Sequence, residues 1–357
     1  MDEYRGTGVS GSEKRTAAEQ PRTPASIKDI ARLAGVSHST VSRALRNSPL
    51  VNPQTTKEIQ GIARQLSYQP SAVARGLVTR KTRTIGVVVT TIADPFVSEV
   101  VIGIEFAAND AGYSVFLADS NADPVREKNV VHSFAERRVD GIVVTSSRVG
   151  ALYTPLLSQM NVPIVLINNQ HPGQFVHSVM IDNVQGSREA TTHLIRLGHR
   201  RIAYIGDQYG HQSDTERFGG YRQALDEAAL PFVPELVVHG DSRPEEAIAV
   251  MNKLLALPSP PTAVFCYNDM TALGVLRAVH MRGIRVPADI SVVGFDDLFF
   301  VSYTQPQLTT VRQPMRKMGR MAMESLLKLM SGLPIGEAVL VPAELIVRES
   351  TAPPPAR

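Results

Sequence analysis

A chain of 357 residues, 43% hydrophobic and 20% charged, has a globular composition and enough length for two or three domains. No apolar run reaches the roughly 18 residues that a membrane-spanning helix needs, and a single cysteine, Cys266, excludes an intrachain disulfide and fits a reducing compartment. The net charge of +3 hides a division: residues 21–83 carry 11 Lys and Arg against 2 Asp and Glu, whereas residues 84–357 carry 23 against 28, so one end alone suits a polyanion.

Residues 1–24 are polar and aperiodic, and a disordered tail is expected there. They offer no apolar stretch to act as a secretory signal, so the expected location is the cytoplasm. The tail holds Gly6, Gly8 and Gly11 at the G-x-G-x-x-G spacing of a dinucleotide site. That spacing works only between a buried strand and a helix whose N-terminus meets the pyrophosphate, and neither pattern flanks it.

A helix-turn-helix DNA-binding domain is predicted over residues 25–69. In IKDIARLA, residues 27–34, Ile27, Ile30, Ala31 and Ala34 fall on one helical face, and Gly35 supplies the left-handed turn that ends the helix. Ser37 caps a second helix over 38–46 whose Val41, Ala44 and Leu45 turn inward. Asn52-Pro53 opens a third helix near 54–66. In such a module the second helix enters the major groove with its N-terminal side chains on base edges. His38, Ser39 and Arg43 are therefore the expected base readers, Arg43 being suited to guanine O6 and N7. Ser37, Thr40 and Ser42 suit phosphate oxygens. A merely solvated face would explain the hydroxyls, but not the agreement of cap, turn, spacing and charge.

Residues 70–83 read as a hinge helix and linker. Within YQPSAVARGLVTRKTR, residues 68–83, Pro70 and Ser71 can start a short helix bearing Ala72, Val73, Ala74 and Leu77. So short a helix is unstable alone in water. It is expected to fold against its twin from a second subunit and the floor of a minor groove, with Ala74 and Leu77 on the DNA and Leu77 wedged at a base step.

From Thr84 the pattern changes to short apolar strands, at 84–90, 113–119, 141–146 and 163–168, then at 201–206, 236–240, 263–268 and 290–296. Amphipathic helical stretches such as 97–111, 123–138, 214–229, 243–256 and 270–283 separate them. Two sets of four buried strands alternating with helices predict an α/β core of two doubly wound parallel-sheet lobes over residues 84–350, with a cleft between them. A helix at 314–330 and a strand pattern at 338–348 are expected to return and complete both lobes. The first lobe then takes about 84–182 plus 314–341, the second about 183–313 plus 342–350. The tail at 351–357 has no leucine heptad, so a tail-driven tetramer is not expected.

Ligands of doubly wound lobes bind at the carboxyl ends of the strands. Asp94 and Phe96 follow the first strand, Asn168 and Asn169 the fourth, and Asn268 and Asp269 the strand of Cys266; Asp296 ends VVGFD, and Arg217 lies early in a helix. Carboxylates, amides, an arginine fork and an aromatic plate suit a small, hydroxyl-rich molecule. Asp269 and Asp182 could equally be helix caps. His199 is expected at a structural turn and Cys266 in the core. No H-E-x-x-H, paired Cys/His spacing, P-loop or G-x-S-x-G occurs, so neither a metal nor a cofactor nor a hydrolase is implied.

With IKDIARLAGVSHSTVSRALRN, YQPSAVARGL, IGVVV, RRVDGIVV, GHRRIAYIG, PTAVFCYND, VPADISVVGFDD and LTTVRQP, the chain resembles the LacI/GalR family of bacterial transcriptional regulators over about residues 26–349. The resemblance implies a headpiece, a hinge helix and a two-lobed sensor like the periplasmic sugar-binding proteins. It implies a homodimer on a near-palindromic operator, with the hinge leucine, here Leu77, at the central step. It also assigns Phe96, Arg217 and Asp296 to the effector site. Where purine-binding relatives stack aromatics this chain has Asn169 and Ser242, so the expected effector is a sugar or sugar derivative and not a nucleobase. Gly76 departs from the larger small residue common before that leucine. It costs roughly 0.5–1 kcal/mol of helix stability, which leaves hinge folding more dependent on DNA.

The function implied is an effector-controlled, DNA-binding repressor without enzymatic activity. A transport binding protein would share both lobes but has no use for residues 26–83. An NAD-dependent enzyme would need its glycine fingerprint somewhere other than the tail.

Overall fold

The computed structural model describes residues 25–69, 76, 81–147, 162–169, 177–336 and 338–356. The chain forms two units, divided between Val78 and Thr79.

The first unit holds α1 (Ile27–Leu33), α2 (His38–Ala44) and α3 (Pro53–Gln65). Their boundaries have chemical causes. Ser26 N and Oγ donate to the Asp29 carboxylate at 3.0 and 2.7 Å at the start of α1. Gly35, at φ +63°, then turns the chain in a conformation that a Cβ would strain. Ser37 Oγ accepts from Thr40 N at 3.2 Å to start α2, and Asn52 Oδ1 accepts from Gln54 N at 2.8 Å to start α3. Ile30, Ala31, Val41, Ala44, Ile59 and Ala63 form the core, with Ile27, Ala34 and Leu45 packed partly buried around it. The helix α2 stops short of residue 46 because Asn47 takes up φ +55° and accepts from Gln60 Nε2 at 2.7 Å, which turns the backbone towards α3.

The second unit is an α/β core of two six-stranded sheets. The first contains β1 (Thr84–Val89), β2 (Ser114–Asp119), β3 (Gly141–Thr145), β4 (Ile164–Ile167), β5 (Ser178–Ile181) and β11 (Val339–Val341), in the order β11-β5-β4-β3-β1-β2. Its pairings are all parallel. The second contains β6 (Ile202–Asp207), β7 (Val237–Gly240), β8 (Ala263–Cys266), β9 (Ser291–Asp296), β10 (Thr309–Arg312) and β12 (Glu344–Ile346), in the order β12-β10-β9-β8-β6-β7. Here β12 alone runs antiparallel, against β10. The eight strands expected from the sequence are thus joined by β5 and β10, and the tail pattern splits into one strand for each sheet.

Among the described residues, seven α-helices cover the sheets: α4 (Pro95–Asp110), α5 (Pro124–Glu136), α6 (Asn183–Arg196), α7 (Gln212–Glu227), α8 (Pro244–Leu255), α9 (Asp269–Met281) and α10 (Met315–Met330). Prolines open α4, α5 and α8, where the missing N–H costs nothing. α10 returns to pack on α4 so closely that a Cβ on Gly103 would run into the Arg316 carbonyl, and one on Gly319 into that of Val100. Cys266 is fully buried in β8. His199 Nδ1 meets Thr262 Oγ1 at 2.9 Å while Nε2 meets the Ala352 carbonyl at 2.9 Å. A carbonyl only accepts, so Nε2 carries the proton, and the ring ties Ala352 to the second sheet. Among the described residues, no helix is long and apolar enough to cross a membrane.

In each sheet the strand order reverses at one point, between β1 and β3 in the first and between β6 and β8 in the second. Above the carboxyl ends at such points the flanking connections diverge and leave a crevice.

Candidate functional site

Two sets of side chains stand out, one in each unit. On the first, Ser37, His38, Ser39 and Arg43 are exposed, while Thr40 and Ser42 are half-buried. The cap fixes the first turn: Ser37 Oγ lies 2.8 Å from Ser39 Oγ and 2.9 Å from Thr40 Oγ1. Further along, Arg46 Nε donates to the Ser42 carbonyl at 3.1 Å and its Nη2 to Ser42 Oγ at 3.2 Å. Arg46 was not singled out from the sequence, because nothing in the spacing shows that it folds back over α2. A helix that buries only Val41 and Ala44 thus presents hydroxyls, an imidazole and two guanidinium groups along an exposed to half-buried run. Ala74 and Leu77 lie outside the described residues.

In the second unit, a cavity of about 560 Å³ opens at the carboxyl ends of both sheets. From the first sheet come Thr90 and Thr91 after β1, Asp94 and Phe96 at the start of α4, Ser146 after β3 and Asn168 after β4. From the second come Asp207 at the end of β6, Ser242 after β7, Tyr267 and Asn268 after β8, Asp296 at the end of β9 and Gln313 after β10, with Arg217 rising from α7.

The structure therefore brings Asp94, Phe96, Arg217, Ser242, Asn268 and Asp296 together on one wall-to-wall surface. It places Asn169 and Asp269 elsewhere. Asn169 is enclosed, and Asn168 takes the place on the wall. Asp269 is fully buried inside the second lobe, its carboxylate accepting from Thr310 Oγ1 at 2.6 Å and from Leu298 N at 2.8 Å. Burial, then the neighbouring charge of Asp296, hold its carboxyl well above the usual carboxylate range. Nor is Asp269 a cap. Asn268 caps α9 by accepting from Thr271 N at 2.8 Å, and Asp182 caps α6 by accepting from Gln185 N at 2.9 Å.

Arg217 is held from three sides. Its Nε donates to Asn183 Oδ1 at 2.9 Å and its Nη1 to the Tyr267 carbonyl at 2.6 Å. Its guanidinium carbon lies 3.7 Å from the centre of the Phe295 ring and 4.6 Å from that of Tyr267. Asp296 accepts from Gln313 Nε2 at 2.6 Å. Burial raises its carboxyl to about 7 against the pull of Arg217; Asp94 adds to the rise and Gln313 opposes it. Asp94 both lines the cavity and caps α4 through Phe96 N at 2.9 Å, and burial pushes its carboxyl upward. Asp207 accepts from Ser242 Oγ at 2.9 Å and pairs with His211 Nδ1 at 2.6 Å. Burial is the largest single influence and would raise its carboxyl, but the bonds and charge of His211 together with the Ser242 hydroxyl outweigh it and leave it lowered.

The backbone is unusual at the same places. Ser146, Asn168, Ser242 and Asp296, all on the wall, carry positive φ, and at Asp296 it reaches +121°. Such conformations cost about 1–3 kcal/mol each and concentrate where a binding surface requires them. Among the described residues no group of His, Cys, Asp and Glu could hold a metal ion.

Comparison with known proteins accounts for both units. Residues 26–71 match the family described as bacterial regulatory proteins, lacI family, and residues 191–351 match the periplasmic binding protein-like domain. The HTH-type transcriptional repressor PurR of Haemophilus influenzae (strain PittEE) is 34% identical over 330 residues, 91% of this chain and 98% of that protein. The chain belongs to the lacI family of bacterial regulatory proteins. As a lacI-family member it is a DNA-binding transcriptional regulator and not an enzyme. Among solved structures, the lac repressor dimer bound to operator and the anti-inducer ONPF is similar with a TM-score of 0.85 at 28% identity, covering 92% of this chain and 100% of that one. The complex of the transcriptional regulator CelR with cellobiose is similar with a TM-score of 0.69 at 31% identity, covering 91% and 99%.

Proposed function

We propose that this lacI-family protein is a cytoplasmic repressor that binds a near-palindromic operator as a homodimer, and that a sugar or sugar derivative in the cavity controls the binding. The observation that carries the reading is the cavity wall itself. Strand ends of both sheets converge on Arg217, Asp296 and Asp94, with Phe96 as an apolar plate, so one small polar molecule would touch both lobes. Such a ligand favours one relation of the lobes over another by its differential contacts, and that difference is all the control it can exert on DNA affinity.

On the DNA side, His38, Ser39 and Arg43 read base edges and Ser37, Thr40 and Ser42 hold phosphates. Ala74 and Leu77 enter the minor groove at the centre of the site. A single headpiece reads a half-site, so two copies are required. Phe106, Phe116 and Leu117, each about half exposed on the first lobe, supply apolar surface that a second copy would cover. The CelR complex, which holds cellobiose, supports a sugar as the kind of effector.

The reading is tested by fluorescence anisotropy on palindromic genomic fragments, with and without a panel of sugars. A preference for particular palindromes over random duplex, shifted at least tenfold by one of the sugars, is expected. Equal affinity for every duplex would overturn the palindromic-operator reading, and indifference to every sugar would overturn the sensor reading.

A further inference from the structure

The charge balance of the cavity carries the reading of its ligand one step further. Resting on the proposed sugar-sensing role, we infer that the effector is a sugar bearing no anionic group, and that sugar acids and sugar phosphates are excluded. The cavity lining carries five carboxyl groups, Asp94, Asp207, Asp241, Glu245 and Asp296. Against them, among the described residues, stand Arg217, His211 and Arg243. The first lobe contributes Asp94 and, among its described residues, no basic side chain at all.

The bases on the second lobe are largely committed. His211 pairs with Asp207 at 2.6 Å. Arg217 already donates to Asn183 and to the Tyr267 carbonyl, and its remaining edge faces Asp296. Arg243 is exposed at the rim, between Asp241 and Glu245 in the chain. A carboxylate or phosphate entering here would meet acidic side chains in excess and, among the described residues, no free buried cation to receive it, which is how a pocket rejects a ligand class. Hydroxyl groups meet the opposite situation. Asp207, whose carboxyl is lowered, accepts from hydroxyl donors on the second-lobe side, Asp94 presents a carboxyl from the first lobe, and Phe96 supplies an apolar plate.

The test is isothermal titration calorimetry of the full-length protein with matched sets: galactose, galacturonate and galactose 6-phosphate; glucose, glucuronate and glucose 6-phosphate; ribose and ribose 5-phosphate; and cellobiose. At least one neutral sugar is expected to bind, with its acid and phosphate at least tenfold weaker. The rim variant Asp241→Asn/Glu245→Gln, whose positions are outside the buried core, is expected to narrow that gap at least threefold; an unchanged gap would count against a charge-based exclusion. An acid or phosphate binding as tightly as its neutral counterpart would overturn the inference and leave the sugar-sensor reading standing. Failure of the whole panel to bind would remove both.

Discussion

Arg217 Nη2 stands 3.8 Å from Asp296 Oδ1, with the two side chains only 4% and 7% exposed. That separation is too long for a good hydrogen bond and leaves room for a hydroxyl to engage both. Removing one partner of so buried a pair leaves the other charge uncompensated, at a cost of about 3–5 kcal/mol. Arg217→Ala is therefore expected to lower stability by that order in urea unfolding at pH 7.5. Adding Asp296→Asn should recover part of the loss, and simple additivity of the two changes would contradict the pairing.

The same carboxyl makes stability depend on pH. Asp296 faces Arg217, Asp94, Asp269 and Gln313, and burial is the largest influence raising it to about 7 from an ordinary 3.8. The folded state thus holds a proton that the unfolded chain has released across that interval. The stabilisation is complete on the acid side and is lost as pH rises towards 7, at up to roughly 1.4 kcal/mol per pH unit. Unfolding measured from pH 5 to pH 8 is expected to show this downward slope relative to Asp296→Asn. Parallel curves for the two proteins would refute it.

On the DNA face, Arg43→Ala is expected to cost about 1–3 kcal/mol per half-site and to relax the preference at one base pair. Ser37→Ala acts differently. It removes the acceptor for Thr40 N and should destabilise α2 by about 1 kcal/mol. Anisotropy on operator variants separates the two, since the Ser37 change should weaken all sequences alike.

The contact of α4 with α10 predicts a pair of opposite outcomes. Gly103→Ala would drive a methyl group into the Arg316 backbone and should cost about 1–3 kcal/mol of stability. Gly219→Ala, in α7, meets nothing within 4 Å and should be neutral or stabilising by up to about 1 kcal/mol. Thermal unfolding of both variants checks the contrast.

Much of this architecture was legible because buried parallel strands are continuous apolar runs, as in IGVVV and ISVVGFD. The strands that escaped notice were short and partly polar. β10 carries Thr309 and Thr310, which are fully buried because their hydroxyls reach Thr351 and Asp269. Period and hydrophobicity cannot register a threonine whose hydrogen bond comes from a distant part of the chain. The edge strand β2 shows the converse, since its Phe116 and Leu117 read as core but are about half exposed.

In the cavity, naming strand ends found the right neighbourhoods but not always the right residue. Successive residues leaving a strand or entering a helix point in different directions, so Asn168 lines the wall while Asn169 does not, and Asn268 does while Asp269 does not. Asp207 ends β6 just as Asp296 ends β9, and the same rule would have found it. Gln313 could be found only with β10 in hand.

The returning tail decides when the molecule can be finished. β11 lies at Val339–Val341, beside β5 in the first sheet, and α10, which covers α4 of that lobe, begins only at Met315. As the chain leaves the ribosome, the first lobe must therefore wait, its apolar sheet face partly bare, until the whole second lobe has been made. A nonsense mutation near residue 310 would leave both lobes incomplete rather than remove one, so selection against truncated products should be as strict late in the gene as early.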